Sequence, residues 1–201
     1  MLPARARPPS TAPLLALAAS AGGPDALATV LGDLPSGLAA RVVVAQHIDA
    51  PFVAGLAGWL GQRTNRRVEV AEEGAVLGPD AVRVVRSDRQ PAIDTRGTVR
   101  YGPADPRQPF HPCFDALFES MARAGLRGVA VLLTGMGQDG ARGLLSLRAA
   151  GWTTIAQDAQ SSRIYGMPRE AARLGAASEI LPLDRIGAAA SLALTRVQVR
   201  R

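Results

Sequence analysis

Residues 129–143 read VAVLLTGMGQDGARG. Five apolar residues run without interruption into three glycines, and a helical pattern follows from 141 to 149. An unbroken apolar run of this length fits a strand buried on both faces, as in a parallel sheet covered by helices. Gly135, Gly137 and Gly140 form a G-x-G-x-x-G string between strand and helix, the fingerprint of a dinucleotide cradle. Asp158 lies 18 residues after Gly140, near where the ribose-binding acid of such a cradle falls. The turn therefore has two readings. It either receives a nucleotide or carries Asp139.

Working outward, the same unit recurs. Apolar runs at 14–18, 41–45, 129–133, 153–156 and 178–181 alternate with helical patterns at 24–31, 51–62, 114–124, 141–149, 168–174 and 184–195. This order predicts an α/β fold: a doubly wound, mostly parallel sheet with helices on both faces. Between 68 and 101, VEVAEEG, VRVV and GTVRY alternate with period two between turn residues. They predict one or two small antiparallel hairpins at the sheet edge. A chain of 201 residues, 47% hydrophobic, suits one domain over 12–201 behind a disordered Pro/Ala/Arg tail over 1–11.

The chain has 23 basic residues, every one arginine, against 17 acidic ones, a net charge of +6. That sign favours acidic partners, but the arginines are scattered, and with so much alanine and glycine the excess reads as a composition bias. Only 4% of residues are aromatic, too few for a base-stacking platform, so no nucleic-acid partner is expected. No run approaches the roughly 18 apolar residues of a membrane span, so no membrane insertion is expected. The single cysteine, Cys113, excludes an internal disulfide framework and fits a reducing compartment. Flanked by Pro112 and Phe114, with only His111 as a basic neighbour, it is a weak candidate nucleophile. Arg5, Arg7 and the apolar stretch 14–19 with its A-x-A at 16–18 resemble a secretory signal. The alternative is a buried first strand behind the tail, and prolines up to Pro13 leave an apolar segment shorter than most signal cores.

In doubly wound sheets, ligands gather outside the carboxyl ends of the strands. The first strand delivers Ser20 there, before Gly22-Gly23 and a helix start at Pro24. This is either a helix cap or a hydroxyl projected from a sharp bend. The second delivers His47, ahead of Asp49-Ala-Pro51, either a plain loop histidine or a general base. The third delivers Asp139, which reads equally as a first-turn carboxylate beside a helix dipole. Serine, histidine and aspartate falling at the same end of three buried strands is what a nucleophile, its base and the base's orienting carboxylate require. The same residue weighs against the cradle. A carboxylate about 4 Å from a pyrophosphate charge repels it by roughly 4 kcal/mol at an effective dielectric near 20. About 60 residues after the motif are also too few for a second mononucleotide half. His111, in QPFHPC, reads as loop structure. Two distant histidines and one cysteine make no ligand set, so no metal and no cofactor are expected.

At these residues the chain resembles the catalytic domain of CheB-type protein-glutamate methylesterases. The resemblance rests on ASAGGPDAL, VVVAQHIDAPF, LLTGMGQDGARGLLSLRAAG, TIAQDAQSSRIYGMPREA and ILPLDRI, which cover most of residues 12–187. It implies a doubly wound domain with a small antiparallel hairpin. It implies hydrolysis of γ-glutamyl methyl esters on chemoreceptor helices, with glutamine deamidation through a like intermediate. It also places the family nucleophile on Ser20, the base on His47, the orienting acid on Asp139, and oxyanion donors on the backbone N–H groups of Ala21 and Met136. Partners implied are methylated receptor helices and a separate response regulator or other signalling protein, in the cytoplasm. The pattern departs where the family has Ser-Thr-Gly-Gly against Ser20-Ala21-Gly22-Gly23. VRVVRSDRQPAI lacks the usual Pro-Gly and His, and Cys113 stands in place of a serine. No receiver domain is read in the chain, which would exclude phosphorylation-driven control in cis. A non-catalytic scaffold of the same fold and a nucleotide-binding domain using Gly135–Gly140 remain as alternatives.

Overall fold

The computed structural model describes residues 12–105, 107 and 110–199. The tail expected over 1–11 lies outside them. Strands β1 (Leu14–Ala19), β2 (Arg41–Gln46), β3 (Val68–Val70), β4 (Val82–Val84), β7 (Gly128–Leu132), β8 (Thr153–Gln157) and β9 (Glu179–Leu181) form one sheet in the order β3-β4-β2-β1-β7-β8-β9. Every neighbouring pair is parallel. Its helices are α1 (Gly23–Asp33), α2 (Val53–Thr64), α3 (Phe114–Arg123), α4 (Ala141–Ala149), α5 (Met167–Arg173) and α6 (Leu183–Val199). A short 3-10 turn, Ala50–Phe52, leads into α2. No described helix is long and apolar enough to cross a membrane.

The sequence-level fold holds, with element ends shifted by a few residues. β1 is central and wholly buried, because Leu15, Leu17 and Ala19 face one core cluster while Leu14, Ala16 and Ala18 face the other. The A-x-A at 16–18 therefore lies inside the strand at the middle of the sheet, and cleavage there would remove it. From β1 the chain winds outward through β2 and later restarts on the other side at β7. The carboxyl ends of β1 and β7 thus flank the point where strand order reverses, the usual crevice of such sheets.

The stretch 68–101 folds differently from its expected hairpins. VEV and VRV enter the parallel sheet as β3 and β4, and only β5 (Gln90–Ile93) and β6 (Val99–Gly102) pair antiparallel, as a separate two-stranded sheet. The alternation of β3 and β4 has another origin. On one face Glu69 and Arg83 are register partners joined by an ion pair, so a half-solvated parallel edge shows the period expected of a hairpin. The β5–β6 turn is closed by Asp94, whose carboxylate accepts from the N–H groups of Arg96 and Thr98, both at 2.9 Å.

Helices α3 and α4 cross closely at Gly143. A Cβ there would lie 2.7 Å from the Asp115 carbonyl oxygen and 2.8 Å from Phe118 Cβ. Alanine favours a helix over glycine by about 1 kcal/mol, but overpacking costs about 1–3 kcal/mol, and the obstructing atoms here are largely backbone. Gly143→Ala is therefore expected to destabilise the domain, read as a lower urea midpoint at unchanged m-value.

Candidate active site

Ser20 follows β1 directly. Its N–H donates to the Thr134 carbonyl at 3.0 Å, and its own carbonyl accepts from the Gly23 N–H at 2.7 Å. That turn needs Gly22, whose φ is +78°, a left-handed conformation that only glycine adopts without strain. Gly135 comes equally close from the other side. A Cβ at 135 would sit 2.6 Å from Ser20 Cβ and 2.6 Å from Met167 Cε. The first glycine of the fingerprint thus clears space for a side chain, and not for a phosphate.

His47 leaves β2 with its N–H bonded to the Ala19 carbonyl at 3.0 Å. Its ring stacks on Phe114, centroids 3.9 Å apart and planes 11° from parallel, and on Phe110 at 5.3 Å and 22°. Nδ1 lies 3.2 Å from Ser20 Oγ, and Nε2 lies 3.0 Å from Asp139 Oδ2. The three residues singled out from strand ends therefore meet in one hydrogen-bonded line.

Asp139 is the most heavily bonded of the three. Oδ2 accepts from His47 and from the Phe114 N–H at 2.7 Å, and Oδ1 from the N–H groups of Asp115 at 3.0 Å and Gly140 at 2.9 Å. The Cys113 thiol also points at Oδ1, at 3.5 Å. Phe114 and Asp115 open α3, so the carboxylate lies on a helix N-terminus as well as on the imidazole. Burial pushes its pKa up, but the bonds from His47, Phe114 and Asp115 outweigh this and hold it below the ordinary carboxylate range. An ionised carboxylate only accepts, so Nε2–H donates to Asp139. Nδ1 is then left with a lone pair toward the serine hydroxyl.

The positions expected to donate to an oxyanion, Ala21 and Met136, line a cavity of about 450 Å³ together with Ser20, His47 and Phe110. The backbone N–H groups of both lack an acceptor among the described residues. Thr134 supports both turns. Its hydroxyl accepts from the Ile164 N–H at 2.9 Å and lies 3.0 Å from the Ala21 carbonyl, while its N–H donates to buried Gln157. The cradle reading ends here, because the N–H groups of Gly140 and Gly143 are taken by Asp139 and Asp115. Asp158 is occupied too, accepting from the N–H and hydroxyl of Ser161 at 2.9 and 2.6 Å.

Several site residues escaped the sequence reading. Gln46 is 4% exposed, and its amide N–H₂ bonds the carbonyls of Ser20 and His47 at 2.8 and 3.0 Å. Gln90 brackets Cys113, accepting from its N–H at 2.9 Å and donating to its carbonyl at 3.0 Å. Phe114, read only as a helix start, forms the floor under the imidazole. A polar residue closing an apolar strand was the available signal for Gln46 and Gln157.

Fold and site define an α/β protein with serine, histidine and aspartate converging at the switch point of a parallel sheet. The chain belongs to the CheB methylesterase family, whose model matches residues 15–190. It is 46% identical over 183 residues to a protein-glutamate methylesterase/protein-glutamine glutaminase 2 of Burkholderia orbicola (strain AU 1054), covering 90% of this chain and 55% of the relative. It is 44% identical over 185 residues to the protein-glutamate methylesterase FrzG of Myxococcus xanthus, covering 92% and 55%. The solved CheB methylesterase catalytic domain of Thermotoga maritima superposes with a TM-score of 0.84 at 28% identity, over 90% of this chain and 98% of that one. The chain spans about half the length of the curated relatives it matches.

Two outcomes follow from the titrating groups. Burial, and then the Asp139 charge, push the Cys113 thiol up to about 12, so at pH 8 the folded protein will resist iodoacetamide and the urea-unfolded chain will react. Asp139 is held below its unfolded value near 3.9; it stabilises the fold above that value, and the contribution is lost as pH falls through the lower folded value. Wild-type stability, measured by urea unfolding, will fall off below about pH 4. Asp139→Asn, weaker at pH 6, will show a shallower acid decline.

Proposed function

We propose that the chain hydrolyses γ-glutamyl methyl esters on methylated chemoreceptor helices in the cytoplasm. Ser20 would act as nucleophile, His47 as general base and Asp139 as the residue that orients it. The observation carrying this reading is the unbroken line from Ser20 Oγ through the imidazole to Asp139. Ser20 Oγ attacks the ester carbonyl carbon while its proton passes to His47 Nδ1. A serine hydroxyl is a weak nucleophile without that transfer.

The tetrahedral oxyanion is met by the backbone N–H groups of Ala21 and Met136, donors that need no reorganisation as charge develops. Protonated His47 is held by Asp139 and returns its proton to the departing methoxide, releasing methanol. Water, deprotonated by His47, then cleaves the acyl-serine to free glutamate and the serine hydroxyl. A glutamine carboxamide would pass through the same intermediate with ammonia leaving, the deamidation that several relatives carry in their names. Ala21 supplies an N–H as well as threonine does, and its missing hydroxyl bears on substrate contacts more than on chemistry. Control by a separate response regulator or other signalling protein belongs to the same reading.

Ser20→Ala will reduce methanol release from a methylated receptor fragment by at least about 10⁴-fold, with little change in melting temperature. A fluorophosphonate will label the wild type at Ser20 and leave the variant unlabelled. An unlabelled wild type would instead favour a non-catalytic scaffold of this fold.

A further inference from the structure

We propose that Arg163 forms a carboxylate-binding subsite beside Ser20, through which the chain selects esters flanked by acidic residues on the substrate protein; this deepens the esterase reading and rests on it. Its position is the first ground. A Cβ at Gly22 would meet the Arg163 stem at 2.7 Å (Cβ), 3.3 Å (Cγ) and 3.0 Å (Cδ). The arginine therefore lies across the turn two residues after Ser20, and glycine at 22 leaves the stem its place. A packed stem leaves the head group at the rim, where a long basic side chain keeps its charge in solvent.

The second ground is rigidity. The neighbouring Ile164 is clamped at both backbone groups, its N–H donating to the Thr134 hydroxyl at 2.9 Å and its carbonyl accepting from the Gly135 N–H at 3.0 Å. Two residues earlier, Ser161 is held by Asp158 and Gln157. The loop that carries Arg163 is thus tied to the same glycine-rich turn that frames Ser20, so the guanidinium's range is set relative to the reacting ester.

The third ground is charge. Arg86, Arg107 and Arg142 are each joined to a carboxylate, namely Glu72 and Asp88, Asp105, and Asp115. Exposed Arg163 has no carboxylate within ion-pair distance among the described residues. An unpaired guanidinium presents a planar fork matched to a carboxylate. The net positive charge of the chain, which composition alone explains, acquires here one localised role.

Two synthetic peptides test this, each carrying one glutamate γ-methyl ester, flanked by aspartates in one and by asparagines in the other. Methanol release gives kcat and KM, and binding of fluorescein-labelled peptides to Ser20→Ala protein gives Kd without turnover. Wild type is expected to favour the aspartate peptide about fivefold, the scale of an exposed charge pair. The preference should lie in KM and shrink in 0.5 M NaCl. Arg163→Ala should abolish it and Arg163→Lys should keep part of it, with fluorophosphonate labelling of Ser20 unchanged in both. Arg196→Ala is the charge-matched control. It sits near the end of α6, where Gln198 bonds the Ala39 carbonyl ahead of β2, at the amino end of the strands and so opposite the carboxyl end that carries Ser20, and it should keep the full preference. A preference that survives Arg163→Ala, or is absent from wild type, overturns the subsite. If neither peptide releases methanol from wild type, the esterase reading fails separately, and the Kd comparison still decides for or against Arg163.

Discussion

The arrangement depends on one carboxylate. Asp139 draws together the imidazole of His47, the first N–H groups of α3 and the Gly140 N–H ahead of α4. A buried charge would be expensive without such partners, and here the partners are the elements that must converge. The chain of support runs back further than the site. Ser120 of α3 accepts from the Ile93 N–H of β5 at 2.9 Å. At the other end of β5, Gln90 pairs with both polar groups of Cys113, the residue that precedes α3. The hairpin, remote from the serine in sequence, therefore sets where α3 begins, and the start of α3 sets the acid that orients the histidine.

The glycine string shows why a motif is a statement about backbone before it is one about ligands. Gly137 and Gly140 both have φ of +85°, and Gly135 permits contact with Ser20 Cβ. A dinucleotide cradle asks for the same features, a tight turn and close approach, ahead of a helix whose N–H groups stay free. Here Asp139 and Asp115 take those N–H groups. Like-signed phosphate would have to displace two carboxylates, which is the physical content of the difference between the two readings.

How much of this was legible in the sequence follows from the same distinction. Central strands are buried on both faces and read as apolar runs, so β1, β2, β7 and β8 were found nearly to the residue, and with them the side chains at their ends. β3 and β4 were not placed, because a cross-strand ion pair gives a parallel edge the period of a hairpin. The residues that hold Ser20, His47 and Asp139 in place were also missed. Gln46 and Gln157 are marked locally only as polar residues closing apolar strands; like Gln90 and Thr134 they act through amide and hydroxyl contacts to backbone groups of other segments, and no local pattern names that distant partner.

Gln46 shows what such support demands. Its N–H₂ binds the carbonyls of both Ser20 and His47, yet its Oε1 is buried without a partner among the described residues. An unsatisfied buried acceptor costs on the order of 1–3 kcal/mol, so the site is kept against that penalty. Glycine at 23 leaves this oxygen its place, since a Cβ there would lie 2.0 Å from it. The gain is geometric. One planar group at the end of β2 reaches the residue that follows β1, so a sliding motion between these strands, which would lengthen the serine–histidine contact, must break the Gln46–Ser20 bond as well as the ladder between them. A buried acceptor is thus left unmatched at Gln46 where the ends of β1 and β2 are held together.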